Sequence, residues 1–484
     1  MTDAVATSVR SRWTALVVLC AGMLMIILDS TIVNVALPSI QNDLGFSPSS
    51  LAWVVNAYLI PFGGLLLLAG RLGDLMGRRR MFLMGLGVFT VASLLCGIAQ
   101  SQEVLIAARF VQGVGGAMAS AVILGMIVTM FPEPREQATA IGIYSFVASA
   151  GASIGLLAGG VLTQAISWHW IFFVNLPIGI ATAALAVRLI ERDAGIGFGR
   201  GADIVGAVLV TAALMLGVYS IVEAADYGWA SLHTLGLGAV AVALLASFLV
   251  RQARAREPLM PLRILRSRNV SGANLIQMLM VAGLFGMFFL GVLYLERVLG
   301  YDAIEIGLAF LPVAALIGAL SLWASAPLSA RIGARSVLLA GLALIVVGLM
   351  LFSRTPIDGE YLRDVLPSMI LLGTGAGLAF PAIVTLAMSG ATPSEAGLAS
   401  GFVNTTLQVG GALGLAVLAT LATSRTDGLL AQGEDPASAL TSGYRLAFVV
   451  GAGAVVAAMV VAATVLKPAA AAEPSPAVAV TDIR

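Results

Sequence analysis

The chain has 484 residues, of which 59% are hydrophobic and 11% charged, with a formal net charge of +1. A soluble domain carries about 25% charged residues, so most of this chain is not built for water, and the even balance excludes the basic footprint of a nucleic-acid binder. Cys20, Cys96, His169 and His233 are the only cysteines and histidines; they offer no disulfide framework or metal cluster, and no cofactor is expected. No Walker phosphate loop, HExxH or G-x-S-x-G run occurs either, so the sequence favours neither an ATP-driven machine nor an enzyme.

Fourteen apolar runs follow one another, at residues 13–36, 51–70, 81–99, 104–130, 138–163, 170–190, 204–222, 231–250, 270–292, 305–326, 336–353, 365–388, 397–422 and 443–466. Runs of about 20 residues cover roughly 30 Å of hydrocarbon as helices, so an all-α integral membrane protein is expected. The first run follows Arg10 and Arg12 as a secretory leader would. No small-residue cleavage site follows, and Asp29 and Asn34 interrupt the run, so it reads as a retained span. An even count puts both termini on one side. With that side cytoplasmic, 20 of the 26 basic residues face the cytoplasm and five, Arg297, Arg354, Arg363, Arg425 and Arg445, face out; Arg109 lies within the fourth run. The positive-inside rule selects this orientation.

In the first run, LDSTIVNVALP (residues 28–38) carries Asp29, sixteen residues past Trp13 and so about 24 Å along a helix, in the outer leaflet. A carboxylate at that depth is costly. Either it reaches headgroup water, or alternate wetting and drying lets it load a proton or hold a cationic compound. Asn34 is expected to bond to another helix. Between the second and third runs, GRLGDLMGRRR (residues 70–80) is a charged turn. Gly70 and Gly77 permit tight turning and close approach, and Asp74 can cap a helix or pair with Arg78 or Arg79. It reads as a solvated positive turn or as a latch that holds one conformation and releases in another.

Arg109 needs a partner or water unless it snorkels to the span end, where Glu103 lies. Gln112, three residues on, shares its face, and Gly113 admits a neighbouring helix. In the fifth run, AGASIGLLAGG (residues 150–160) sets Gly151, Gly155 and Gly159 at four-residue spacing, with Gly160 beside them, for tight packing against the second half. WHWIFFVNLPIG (residues 168–179) reads as structural, with Trp168 and Trp170 at an interface. Glu223 and Asp226 follow the seventh run. Glu296 follows the ninth and either helps bind cations or pairs with Arg297. Met278, Met280 and Met287 line an adaptable cavity or simply pack.

Residues 251–268, basic and holding Pro258 and Pro261, read as a cytoplasmic linker. The expected division is a six-helix bundle (10–192), two inserted helices (193–250), the linker (251–268), a second six-helix bundle (269–467) and a disordered Ala/Pro-rich tail (468–484). The loop LSARIGARS (residues 328–336) repeats the first half's turn but lacks its acid.

Over residues 10–466 the chain resembles the fourteen-span drug:proton antiporter branch of the major facilitator superfamily. The resemblance rests on the G-x-L-x-D-x-x-G-R-R turn, LDSTIVNVALP, Arg109 in its run, the span 5 glycines and WHWIFFVNLPIG. It implies the major facilitator fold and alternating access around a midplane cavity. It also implies proton-coupled export of amphipathic drugs or secondary metabolites through the plasma membrane, by a monomer without cofactor. In that family the Arg109 position is associated with proton coupling. The family's antiporter motif, G-x-x-x-G-P-x-x-G-G, has a proline where this chain has Leu156, which removes a kink. The family usually has glutamine at the position of Glu296. Pro381, Glu395, Gly397, Ser400, Gly401, Asn404 and Gln408 resemble its span 12–13 pattern, with Asn404 and Gln408 expected to line the cavity. Other outcomes are an exporter dedicated to one natural product or lipid, or a receptor or partner subunit that no longer transports.

Overall fold

The structure is a computed structural model that describes residues 2–47, 50–193, 195, 197, 203–255, 258–259, 262–389 and 396–466, not every side chain within them included. No strand occurs among them. The long helices are α1 (Thr2–Leu44), α2 (Trp53–Met76), α3 (Arg78–Gly97), α4 (Gln102–Met130) and α5 (Pro134–Ala165). A four-residue α6 (Trp170–Phe173) leads into α7 (Asn175–Leu189), and α8 (Ile204–Tyr227) and α9 (Leu232–Arg254) follow. The second half comprises α10 (Arg268–Arg297), α11 (Ala303–Trp323), α12 (Ser325–Ile332), α13 (Ala334–Phe352), α14 (Leu366–Ser389), α15 (Ala396–Leu430) and α16 (Pro436–Thr464). Among the described residues thirteen helices are long and apolar enough to cross a membrane. The 32-residue α5 occupies the remaining expected position.

Two bundles, α1–α7 and α10–α16, share one packing plan. The turn into α3 is made at Gly77 (φ +101°) and the turn into α13 at Gly333 (φ +85°), a conformation that glycine adopts without steric cost. Eight residues beyond each turn lies a glycine that forms a helix crossing. Gly85 on α3 meets Gly115 on α4, and Gly341 on α13 meets Gly375 on α14; a methyl added at Gly115 would lie 3.0 Å from the Gly85 carbonyl, and one at Gly341 would lie 2.7 Å from the Gly375 carbonyl. With no Cβ at these positions the backbones touch, which is how helices associate where lipid supplies no hydrophobic drive.

The inserted pair α8–α9 packs as a hairpin against α2 and α15. Adjacent glycines on α2 serve the two neighbours: a methyl at Gly63 would meet Gln408 Cβ of α15 at 2.7 Å, and one at Gly64 would meet Thr211 Oγ1 of α8 at 2.7 Å. The hairpin is clamped at its base by Asp203, which accepts from Gly206 N (2.9 Å), Arg251 Nε (2.5 Å) and Gln252 Nε2 (2.7 Å). Burial alone would raise this carboxyl. The Gly206 amide, Arg251 and Gln252 outweigh burial and hold it below the usual carboxylate range.

The seam between bundles is tight at the face opposite Arg12. There a methyl on Gly160 of α5 would lie 2.5 Å from the Ala303 carbonyl of α11. Gln164 donates to Asp302 (3.0 Å) and accepts from Ile304 N (3.3 Å). Asp302 also begins α11 as a capping box with Glu305. The Glu305 amide and Gln164 hold its carboxyl below the usual range.

Candidate functional site

The first bundle encloses a charged centre. Asp29 on α1 and Arg109 on α4 are 0% and 1% exposed, and Arg109 Nη1 lies 2.6 Å from Asp29 Oδ2. Arg109 therefore does not snorkel out towards Glu103, and Asp29 does not reach headgroup water. The guanidinium also donates from Nε to the Val54 carbonyl of α2 (3.0 Å) and from Nη1 to Gln112 Oε1 (2.7 Å). It stacks over the Tyr58 ring at 4.4 Å, a cation–π contact that strengthens where water is excluded.

The other carboxylate oxygen, Asp29 Oδ1, accepts from Gln112 Nε2 (2.7 Å) and from Asn175 Nδ2 (2.8 Å). Ser93 of α3 lies behind both amides. It accepts from Gln112 (3.2 Å) and Asn175 (3.0 Å) and donates to the Phe172 carbonyl (2.9 Å). The Cys96 thiol faces Gln112 Oε1 at 3.5 Å, and both cysteines are free and buried. Five helices, α1, α2, α3, α4 and α7, thus converge on one ion pair and its cage. Such a pair is costly to desolvate and more costly to break one-sidedly, about 3–5 kcal/mol.

Asn175 is placed by a helix break. Pro177 has no N–H with which to continue the turn begun at α6, so α7 restarts at Asn175 and aims its fully buried amide inward. The WHWIFFVNLPIG run thus supplies a member of the site as well as structure. Asn34 is a correction of the opposite kind. It donates to Ser30 and Thr31 carbonyls of its own helix (3.2 and 3.4 Å), not to a neighbour, because a short side chain mid-helix readily returns to the preceding turn.

At the Arg12 end, Asp74 pairs with Arg78 within the first bundle (Nε to Oδ1 3.0 Å). Arg78 continues to the Gly125 carbonyl (2.8 Å) and Thr129 (2.9 Å) of α4, and Arg79 donates to the Val187 carbonyl of α7. Asp193, which the sequence reading did not single out, caps α3 by accepting from the Arg78 and Arg79 amides. Its backbone carbonyl lies where a side chain at Gly77 would go, and Gly197 N bonds the Leu75 carbonyl (3.1 Å). The connection towards α8 is therefore pinned to this turn. A methyl at Gly70 would lie 4.0 Å from Ala121 Cβ of α4.

The glycine stripe of α5 packs differently from expectation. Gly151 faces Leu24 and Ile27, Gly155 faces Thr31 and the Leu28 carbonyl, and Gly159 faces Ile32, all on α1 of the same bundle. Of the four glycines Gly160 alone faces α11, where Gly307 also abuts the Leu156 carbonyl. Periodicity defined the face, but the first half filled it.

The sequence profile of the Major Facilitator Superfamily matches residues 19–415. The chain belongs to the Major Facilitator Superfamily. It is 39% identical over 448 residues to the puromycin resistance protein pur8 of Streptomyces alboniger, covering 91% of this chain and 89% of that protein. It is 40% identical over 444 residues to the cephamycin export protein CmcT of Amycolatopsis lactamdurans, covering 90% and 89%. Among solved structures, a bacterial homologue of the human lysosomal transporter Spinster superposes with a TM-score of 0.66 at 16% identity, over 94% of this chain and 98% of that one. The helices are thus spans of a multi-pass membrane protein of this superfamily.

The remaining candidates lie apart from the ion pair. Gln408 of α15 rests on Gly63 at the seam, with its Oε1 buried and without a hydrogen-bond partner; Asn404, one turn earlier, is exposed. Glu296 ends α10 half-buried, and its Oε2 is buried without a hydrogen-bond partner. Met280 and Met287 are fully buried in the second bundle's core, so they pack and do not line a cavity. Met278 is half-buried, its backbone against Gly410. Glu223 lies 3.9 Å from His233. Gly397 lies in the first turn of α15; the side chains of Asp226 and Ser400, and the whole of Glu395, fall outside the described residues.

Proposed function

We propose that the chain is a secondary active transporter that exports amphipathic drugs or a secondary metabolite, driven by protons that enter through Asp29. The observation that carries this reading is the buried Asp29–Arg109 pair, the one ion pair among the described residues with both side chains almost wholly hidden. Protonation of Asp29 neutralises half of that pair and frees the guanidinium to repack, which supplies a switch with two energetically distinct states. The Arg12 face is the cytoplasmic one, as the distribution of basic residues favours. The seam is then closed on the outside by Gly160–Ala303 and Gln164–Asp302, and substrate enters from the cytoplasm. The Gly77–Arg78–Asp193 turn is the latch that fixes the first bundle's cytoplasmic end, and the chain acts as a monomer.

Relatives named for one antibiotic each, puromycin and cephamycin, favour a narrower second reading, an exporter dedicated to one natural product. Efflux from cells loaded with a fluorescent cationic dye, puromycin or a β-lactam tests both. Uncoupler-sensitive efflux of several unrelated compounds supports the broad reading, and efflux of one supports the narrow reading. Efflux that persists without an ion gradient contradicts secondary transport.

A further inference from the structure

The two amides that donate to Asp29 are not equivalent. Gln112 is held at both ends: its Nε2 serves Asp29 and Ser93, and its Oε1 receives Arg109 and the Cys96 thiol. It cannot turn over without breaking the arginine contact. Asn175 is held at one end only. Its Nδ2 serves Asp29 and Ser93, while its Oδ1 is buried and has no hydrogen-bond partner. An unsatisfied buried carbonyl is costly, so its presence beside a titratable group calls for a use.

We propose that Asn175 is the positioning residue of the proton step, and that its amide inverts when Asp29 takes up a proton, so that Asn175 Oδ1 accepts the new Asp29 O–H. This rests on the reading of Asp29 as the proton carrier. With Asp29 ionised, an N–H must face the carboxylate, because a carbonyl there would oppose the charge. With a proton on Oδ1, the O–H and the Asn175 N–H would point at each other. A half-turn about the Asn175 Cβ–Cγ bond exchanges donor for acceptor, breaks no covalent bond and releases nothing. Ser93 keeps its bonds to Gln112 and the Phe172 carbonyl throughout. The titratable and charged groups around this position are Asp29 on α1, Tyr58 on α2, Cys96 on α3 and Arg109 on α4. Asn175 therefore provides the protonated state with a partner that Gln112 cannot give.

The test is infrared difference spectroscopy of the full-length protein in liposomes between alkaline and acid pH, alongside substrate-triggered proton release. The Asp29 carboxylic C=O band is identified by its loss in Asp29→Asn. In wild type it should sit at the frequency of a hydrogen-bonded donor, with a matching shift of an isotopically labelled asparagine carbonyl. In Asn175→Leu and Asn175→Ala the Asp29 band should move to higher wavenumber, and the rate of substrate-triggered proton release should fall several-fold, the weight of one neutral hydrogen bond. Asn175→Ser, whose hydroxyl both donates and accepts, should restore part of it. An Asp29 band that stays in place in both the Leu and Ala variants overturns the inversion. Full proton release by Asp29→Asn overturns the proton-carrier reading itself, whatever Asn175 does.

Discussion

Counted from the turn glycines Gly77 and Gly333, Ser93 of the first bundle and Leu349 of the second hold the same register. Counted from the crossing glycines Gly115 and Gly375, so do Arg109 and Met369, and Gln112 and Leu372. Met369, Leu349 and Leu372 are all fully buried. The two bundles thus share turns and helix crossings but fill the equivalent space with opposite chemistry, an ion pair caged by amides in one and hydrocarbon in the other. The second bundle's polar centre is milder, with Thr406 donating to Asn274 at 2.7 Å. The close-packed glycines therefore serve the fold, and what distinguishes the first bundle is its titratable load.

The most severe way to break this contrast is to give the first bundle the second bundle's residue. Arg109→Met leaves Asp29 buried with amides alone and should cost about 3 kcal/mol or more, seen as a large drop in thermal unfolding temperature of the detergent-solubilised protein. Adding Asp29→Leu should recover most of that stability while transport stays lost, since a buried pair replaced by hydrocarbon is close to neutral. The reverse exchange, Met369→Arg, puts a cation at a fully buried position whose register mates, Leu349 and Leu372, are hydrocarbon. A cost of about 2.5–3.5 kcal/mol is expected, read as reduced yield of folded protein.

Gly85→Val and Gly341→Val should be alike, each about 1–3 kcal/mol from overpacking a shared crossing; unequal losses would show that the repeat is not energetic. The turn glycines should differ. Alanine at Gly77 strains the backbone and meets the Asp193 carbonyl, whereas nothing lies within 4 Å of a methyl at Gly333. Both strain a backbone of positive φ, so the second substitution should cost about 1–3 kcal/mol and the first more.

The smallest effect concerns the inserted hairpin. Because the folded Asp203 carboxyl is held below its usual value, the clamp to Arg251 contributes fully above the unfolded carboxylate value of about 3.9. It is lost only as pH falls through the lower folded value. Hydrogen exchange at the base of α8 and α9 should stay flat from pH 8 to 5 once corrected for intrinsic rates, and rise only in stronger acid.

Much of this contrast could be read from the residues. Asp29, Arg109 and Gln112 stand out because charged and amide groups are costly in apolar runs, and the Gly77 turn because its glycines and arginines cluster. Asn175 did not stand out: an asparagine just before Leu-Pro in an aromatic run resembles a helix start. Ser93 is a small hydroxyl like many others, and Asp193 lies over a hundred residues from the turn it caps. The α5 glycines showed their face through spacing, yet spacing carries no information on whether α1 or α11 fills it. The exchange of Arg109 for Met369 appears only once the crossing glycines fix the register.

The central claim is that the ion pair in the first bundle couples protons to export. Drug-triggered proton release from energised inverted vesicles, wild type against Asp29→Asn, tests it most directly. The account predicts release on adding puromycin or an amphipathic cation that disappears in Asp29→Asn while folded protein remains in the membrane. Equal release by both would contradict it.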